Sequence, residues 1–71
     1  MLKENTKKLN INIIKSQMAL KGETYDDLAR VLGKSKGSIH SKLAGHRSFS
    51  AAELATLSEH YGVPIDYFFT L

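Results

Sequence analysis

Apolar residues recur along this chain at helical spacing, in short bursts separated by glycine. Over residues 9–21, Ile11, Ile14 and Met18 fall at i, i+3 and i+7, which predicts a first helix ended at Gly22, with some of Leu9, Ile13 and Leu20 also on its inner face. Leu28, Ala29 and Leu32 then make a narrow apolar stripe with Asp26, Asp27 and Arg30 outside it. Thr24 is the expected N-cap of that second helix, and Asp27 three residues on gives a start like a capping box. Gly33 ends the helix, because a residue free to take positive φ suits a left-handed helix end.

Ser35 opens the next helix, with Ile39 and Leu43 as the inward i, i+4 pair and with Lys36, Ser38, His40, Ser41 and Lys42 on its other faces. The clearest start follows a short loop: Ser50 and Glu53 spell an S-x-x-E capping box, and Phe49 can staple onto Leu54. Leu54, Leu57 and Tyr61 form the inward stripe there, and Gly62 closes the helix. A last turn or short helix begins at Val63 with Pro64 at its first position, and Ile65, Phe68 and Phe69 are expected to cover the core. Residues 1–8 are polar and basic without apolar periodicity, which predicts a fraying arm.

Seventy-one residues suffice for one small domain, and several short helices are the expected way to bury its core. The formal charge of +3 is modest but lopsided, since no Lys or Arg follows Arg47 while Glu53, Glu59 and Asp66 do. From residue 34 to residue 47 there are four bases, two histidines and no acid, a run that points to a polyanionic partner. The absence of cysteine excludes disulfides and thiolate metal sites. No apolar run approaches the roughly 20 residues of a membrane span and no secretory leader is visible, so a soluble cytoplasmic protein is expected. His40, His46 and His60 have neither zinc-site spacing nor a nucleophile elbow beside them, which argues against an enzyme or a metalloprotein and leaves His60 to read as a surface residue.

Residues 24–45 thus read as two short helices joined by a turn of about three to four residues containing glycine, the helix-turn-helix pattern. Thr24, Leu28-Ala29, Leu32-Gly33, Ser35, Ile39 and Gly45, followed by LATLSEHYGVP, resemble the lambda-repressor-like family, the Cro and CI repressors of phages and their bacterial relatives. The resemblance implies an all-α, compact five-helix DNA-binding domain over residues 1–71, with helices 2 and 3 as the helix-turn-helix. It further implies a sequence-specific transcriptional regulator, a phage or prophage repressor that inserts residues 35–43 into the major groove of a double-stranded operator. Base-facing places then fall on Lys36, Gly37, Ser38, His40 and Ser41, where Lys36 can donate to guanine O6 and N7 and Gly37 offers no side chain.

Phosphate contacts fall on Tyr25, Lys34, Ser35, Lys42, His46, Arg47 and Ser48. Neutralising about four phosphates per subunit implies that log K falls against log salt with a slope of roughly −3 to −4. Tyr25 stands where a Gln is common, so its phenol can reach phosphate but cannot brace the recognition helix as the Gln does. Lys42 stands where burial is usual, so either the helix is slightly rotated or the long stem snorkels toward phosphate. Three consecutive aromatics, Tyr67, Phe68 and Phe69, exceed what one short helix can bury, which leaves Tyr67 and Phe69 as candidate contacts of a homodimer. Neither a cofactor nor a small-molecule substrate is expected. An antitoxin or a protein-interaction module built on the same helical domain is the alternative.

Overall fold

Helix boundaries in this protein are set by local hydrogen bonds at every start. The structure, a computed structural model, describes residues 8–70. Helix α1, Ile11–Lys21, begins after Asn10, whose side-chain oxygen accepts from the Asn12 N–H at 3.0 Å. Helix α2, Tyr25–Leu32, follows a complete capping box: the Asp27 N–H donates to the Thr24 hydroxyl at 3.2 Å and the Thr24 N–H to the Asp27 carboxylate at 2.9 Å. Helix α3, Lys36–Leu43, is capped by the Ser35 hydroxyl, which accepts from the Ser38 N–H at 3.1 Å. Helix α4, Ala51–Tyr61, has the second capping box, built by Ser50 and Glu53 with bonds of 3.1 and 2.8 Å. Each such cap contributes about 1 kcal/mol.

The fold is all-α in class, with four α-helices among the described residues rather than the five expected. Residues Ile65–Phe68 form a single 3-10 turn instead of a fifth α-helix, and Pro64 precedes it in extended geometry. The chain then pairs back on its own beginning: strand β1, Lys8–Leu9, lies antiparallel to β2, Phe69–Thr70, with Leu9 opposite Phe69. The Asn10 N–H also donates to the Phe68 carbonyl at 2.8 Å, so the 3-10 turn is tied to the start of α1. Lys8, placed in the arm on sequence grounds, therefore belongs to a strand; the rest of that arm, residues 1–7, lies outside the described residues.

A single apolar cluster joins all the elements. It takes Ile14 and Met18 from α1, Leu28 and Ala29 from α2, Ile39 and Leu43 from α3, Leu54, Leu57 and Tyr61 from α4, and Phe49 and Phe68 from the connecting segments. Most of each helical stripe predicted from spacing is thus buried, with Ile11 and Leu32 only partly so, and Phe49 and Leu54 are both inside as a staple requires. Ala29 is buried in α2, where a small side chain suits a helix packed against both α3 and α4. Ile65, expected in the core, and Leu20, one of three candidates for it, are not inside. Leu20 is 79% exposed, because two residues past Met18 it is turned about 200° away from the buried face. Ile65 is 40% exposed, since the 3-10 turn points Phe68 inward instead. Among the described residues no helix is long and apolar enough to cross a membrane.

The contrast between two leucines tests this packing. Leu57→Ala should cost about 2–5 kcal/mol in urea unfolding, as for a fully buried leucine. Leu20→Ala should stay within about 0.5 kcal/mol; equal losses from both would contradict the rotation of α1 described here.

Candidate nucleic-acid interface

Three residues, Gly33, Lys34 and Ser35, separate α2 from α3. Gly33 makes the turn possible with φ 66°, and the Lys34 N–H closes the end of α2 by donating to the Ala29 carbonyl at 2.9 Å. The start of α2 runs beside the middle of α3: the half-buried Tyr25 ring meets the His40 ring edge-on at 5.6 Å between centroids, and the Asp26 carboxylate lies 3.7 Å from the Lys36 ammonium. At the far end of α3, Gly45 takes φ 87° and the His46 N–H donates to the Ser41 carbonyl at 2.9 Å, which turns His46, Arg47 and Ser48 out into solvent.

Of the residues expected to face bases, Lys36, Gly37 and His40 are exposed and Ser38 and Ser41 are half-buried. Gly37 is helical and open: a methyl group added to its Cα would meet no atom within 4 Å, so nothing in the packing asks for glycine there. Of the residues expected at phosphates, Lys34, Ser35, His46, Arg47 and Ser48 are exposed and Tyr25 is half-buried. The polar residues of the acid-free run from residue 34 to residue 47, Lys42 apart, are thus exposed or half-buried, while Ile39 and Leu43 are buried.

Lys42, expected at a phosphate, is buried instead, because Ile39, Lys42 and Leu43 fall at i, i+3 and i+4 and so share the inward stripe. Its ammonium sits 2.5 Å from the Glu53 carboxylate and 5.9 Å from the centre of the Phe49 ring. Neither a rotated helix nor a snorkelling stem is needed, since an acid on the facing helix receives the charge. Glu53 was legible only as a cap; that it also lies four residues before Leu57, and so on the buried stripe of α4, is the signal that foretells its partner.

Burial pushes the Glu53 carboxyl up, but hydrogen bonds from Lys42 and the Ser50 N–H, and the Lys42 charge, hold it below the ordinary glutamate range. Asp27 is also held low, by the Thr24 N–H, the Thr24 hydroxyl and the Arg30 charge. His60, read from the sequence as a surface residue, is half-buried with its Nε2 on the Glu23 carboxylate. The other Glu23 oxygen accepts from the Tyr61 hydroxyl at 2.8 Å, so the loop before α2 is tied to the end of α4. Burial, followed by that bond and the Glu23 charge, raises the Tyr61 phenol above its usual range. Among the described residues there is no pocket and no group of three potential metal ligands.

A protein-family model described as "Helix-turn-helix" matches residues 14–68, which is more than half of the chain. No curated protein and no solved structure matches.

Two consequences are measurable. Gly37→Ala should raise stability by about 0.5–1 kcal/mol, because it removes a helix-interior glycine without a clash; a loss would mean that the first turn of α3 is not as open as described. The Glu53 carboxyl binds its proton less tightly folded than unfolded, so its contribution to stability is present above about pH 4.3 and is lost as pH falls through the lowered folded value. Urea midpoints followed downward from neutral pH should therefore decline less steeply for Glu53→Gln than for the wild type, and parallel curves would contradict the shift.

Proposed function

The chain belongs to the helix-turn-helix family, and we propose that it is a transcriptional regulator that lays α3 in the major groove of a specific double-stranded DNA site. The observation that carries this reading is the outer face of α3, where Lys36, Gly37 and His40 are exposed within an acid-free run while the inner face is anchored in the core. Lys36 reads guanine edges, helped by Ser38, His40 and Ser41, and Gly37 lets the backbone itself come close to the bases. Lys34 and Ser35 in the turn, Tyr25 at the start of α2 and His46, Arg47 and Ser48 beyond α3 fix the register on phosphates. Lys36 must exchange its exposed contact with Asp26 for DNA, a small cost since such surface pairs contribute about 0–1 kcal/mol.

The most specific form of the reading is a Cro/CI-like phage or prophage repressor acting as a homodimer on half-sites about one helical turn apart. Tyr67, 48% exposed, and the half-buried Phe69 are its candidate dimer contacts. An antitoxin or a purely protein-binding module would use the same helices but would not need the acid-free run.

With Lys42 withdrawn into the core, Lys34, Lys36 and Arg47 are the bases left on this face, which sets the slope of log K against log salt at about −2.7 per subunit. Lys36→Ala should relax preference at one or two base positions of a site selected from random duplexes, by about 1–3 kcal/mol of discrimination. Arg47→Ala should weaken selected and random duplexes alike and flatten the slope by about 0.9. Fluorescence anisotropy at several salt concentrations reads both; a protein that retards no duplex at low salt refutes the DNA-binding assignment.

A further inference from the structure

We propose that Lys42 and Glu53 are positioning residues for DNA recognition, a buried ion pair that fixes the seating of α3 and the loop behind it without touching DNA; this rests on the DNA-binding reading above. The pair closes the segment that carries the phosphate contacts. Lys42 is in the last turn of α3 and Glu53 in the first turn of α4, eleven residues apart, and Gly45, His46, Arg47 and Ser48 lie between them. Both side chains are buried, each residue 6% exposed.

The Glu53 carboxylate performs two tasks with its two oxygens. One accepts from the Ser50 N–H at 2.8 Å and completes the cap of α4, and the other accepts from the Lys42 ammonium at 2.5 Å. The start of α4 and the end of α3 are therefore bonded through one planar group, which admits a single relative placement of the two helices. Phe49, buried beside the ammonium, fills the space under the loop.

A buried ion pair is weak support for stability, because desolvation of both charges offsets most of their attraction and apolar replacements are often neutral or stabilising. What it supplies is geometry. Apolar side chains at positions 42 and 53 would fill the same volume, yet they would tolerate sliding and rotation of an eight-residue helix over its partner. A recognition surface needs its supporting shell held to about 0.5 Å, and the ion pair ties together the two ends of the segment that carries Arg47.

The test is the double variant K42M/E53Q, in which both charges go, the volumes stay and the Gln oxygen can still accept from the Ser50 N–H. Wild type and variant are titrated with a duplex selected from random DNA by the wild type, and with a random duplex of the same length, at several salt concentrations. The expected result is an unfolding midpoint equal to or above that of the wild type, an unchanged salt slope, and a selected-to-random affinity ratio lowered by about tenfold or more, the scale of one mismatched base pair. An unchanged ratio overturns the positioning role while leaving DNA binding intact. A slope flattened by about 0.9 per subunit overturns it in another way, by showing Lys42 on a phosphate. Should that double variant not fold, a second neutral pair, K42L/E53Q, decides in the same titrations: it leaves no buried charge unpaired, its ratio should fall likewise, and an unmoved ratio overturns the role. Failure of the wild type to bind any duplex would refute the DNA-binding reading itself, and the positioning role with it.

Discussion

An eight-residue helix is too short to persist in water without tertiary support, so α3 exists only while its inner stripe is held down. Ile39 and Leu43 bury the apolar part of that stripe in the cluster that also holds Leu28, Ala29 and Leu57, and the Ser35 hydroxyl caps the end nearest the turn. The third stripe position is charged. Lys42 completes the seat only because Glu53 meets it from α4, and loss of either partner alone would leave a buried charge at a cost of about 3–5 kcal/mol. Holding α3 by its inner face frees the outer face to be polar throughout, and this is the condition for it to act on a ligand at all.

Electrostatics divide along the same line. The bases that remain in solvent on the turn, the outer face of α3 and the following loop form one cationic strip, while the carboxylates close to it are engaged in caps or ion pairs. Glu53 is spent on Ser50 and Lys42, Asp27 on Thr24 and Arg30, and Asp26 on Lys36 itself. The other two acids of the last third, Glu59 and Asp66, are exposed on the α4 and 3-10 elements. A net charge as small as +3 therefore understates the field that a polyanion would meet on approaching α3.

Much of the fold was legible because its signals are local. Capping boxes at Thr24 and Ser50, glycines at the helix ends and stripes at i, i+3 and i+4 depend on neighbours a few residues away, and those elements stand where the spacing put them. Legibility failed where a side chain's fate depends on a distant partner. Lys42 reads as a surface base until Glu53 is placed opposite it, and His60 reads as a surface residue until Glu23, thirty-seven positions away, reaches its ring. The last segment failed for a different reason: closing the chain ends through Leu9–Phe69 pairing and the Asn10–Phe68 bond favours one 3-10 turn over a helix, and no local pattern announces that. For the interface, residue types and spacing picked out the exposed strip around α3, but one member of the expected phosphate set turned out to belong to its support.

The most direct check on the assignment of α3 is a titration of the 15N-labelled protein with a selected duplex, followed by amide chemical shifts. Shifts should concentrate at Tyr25, in residues 34–41 and in residues 46–48, while the amides of Leu20, Glu59 and Asp66 stay in place. Perturbation centred on α4 and the C-terminal strand, with α3 unmoved at saturation, would contradict it.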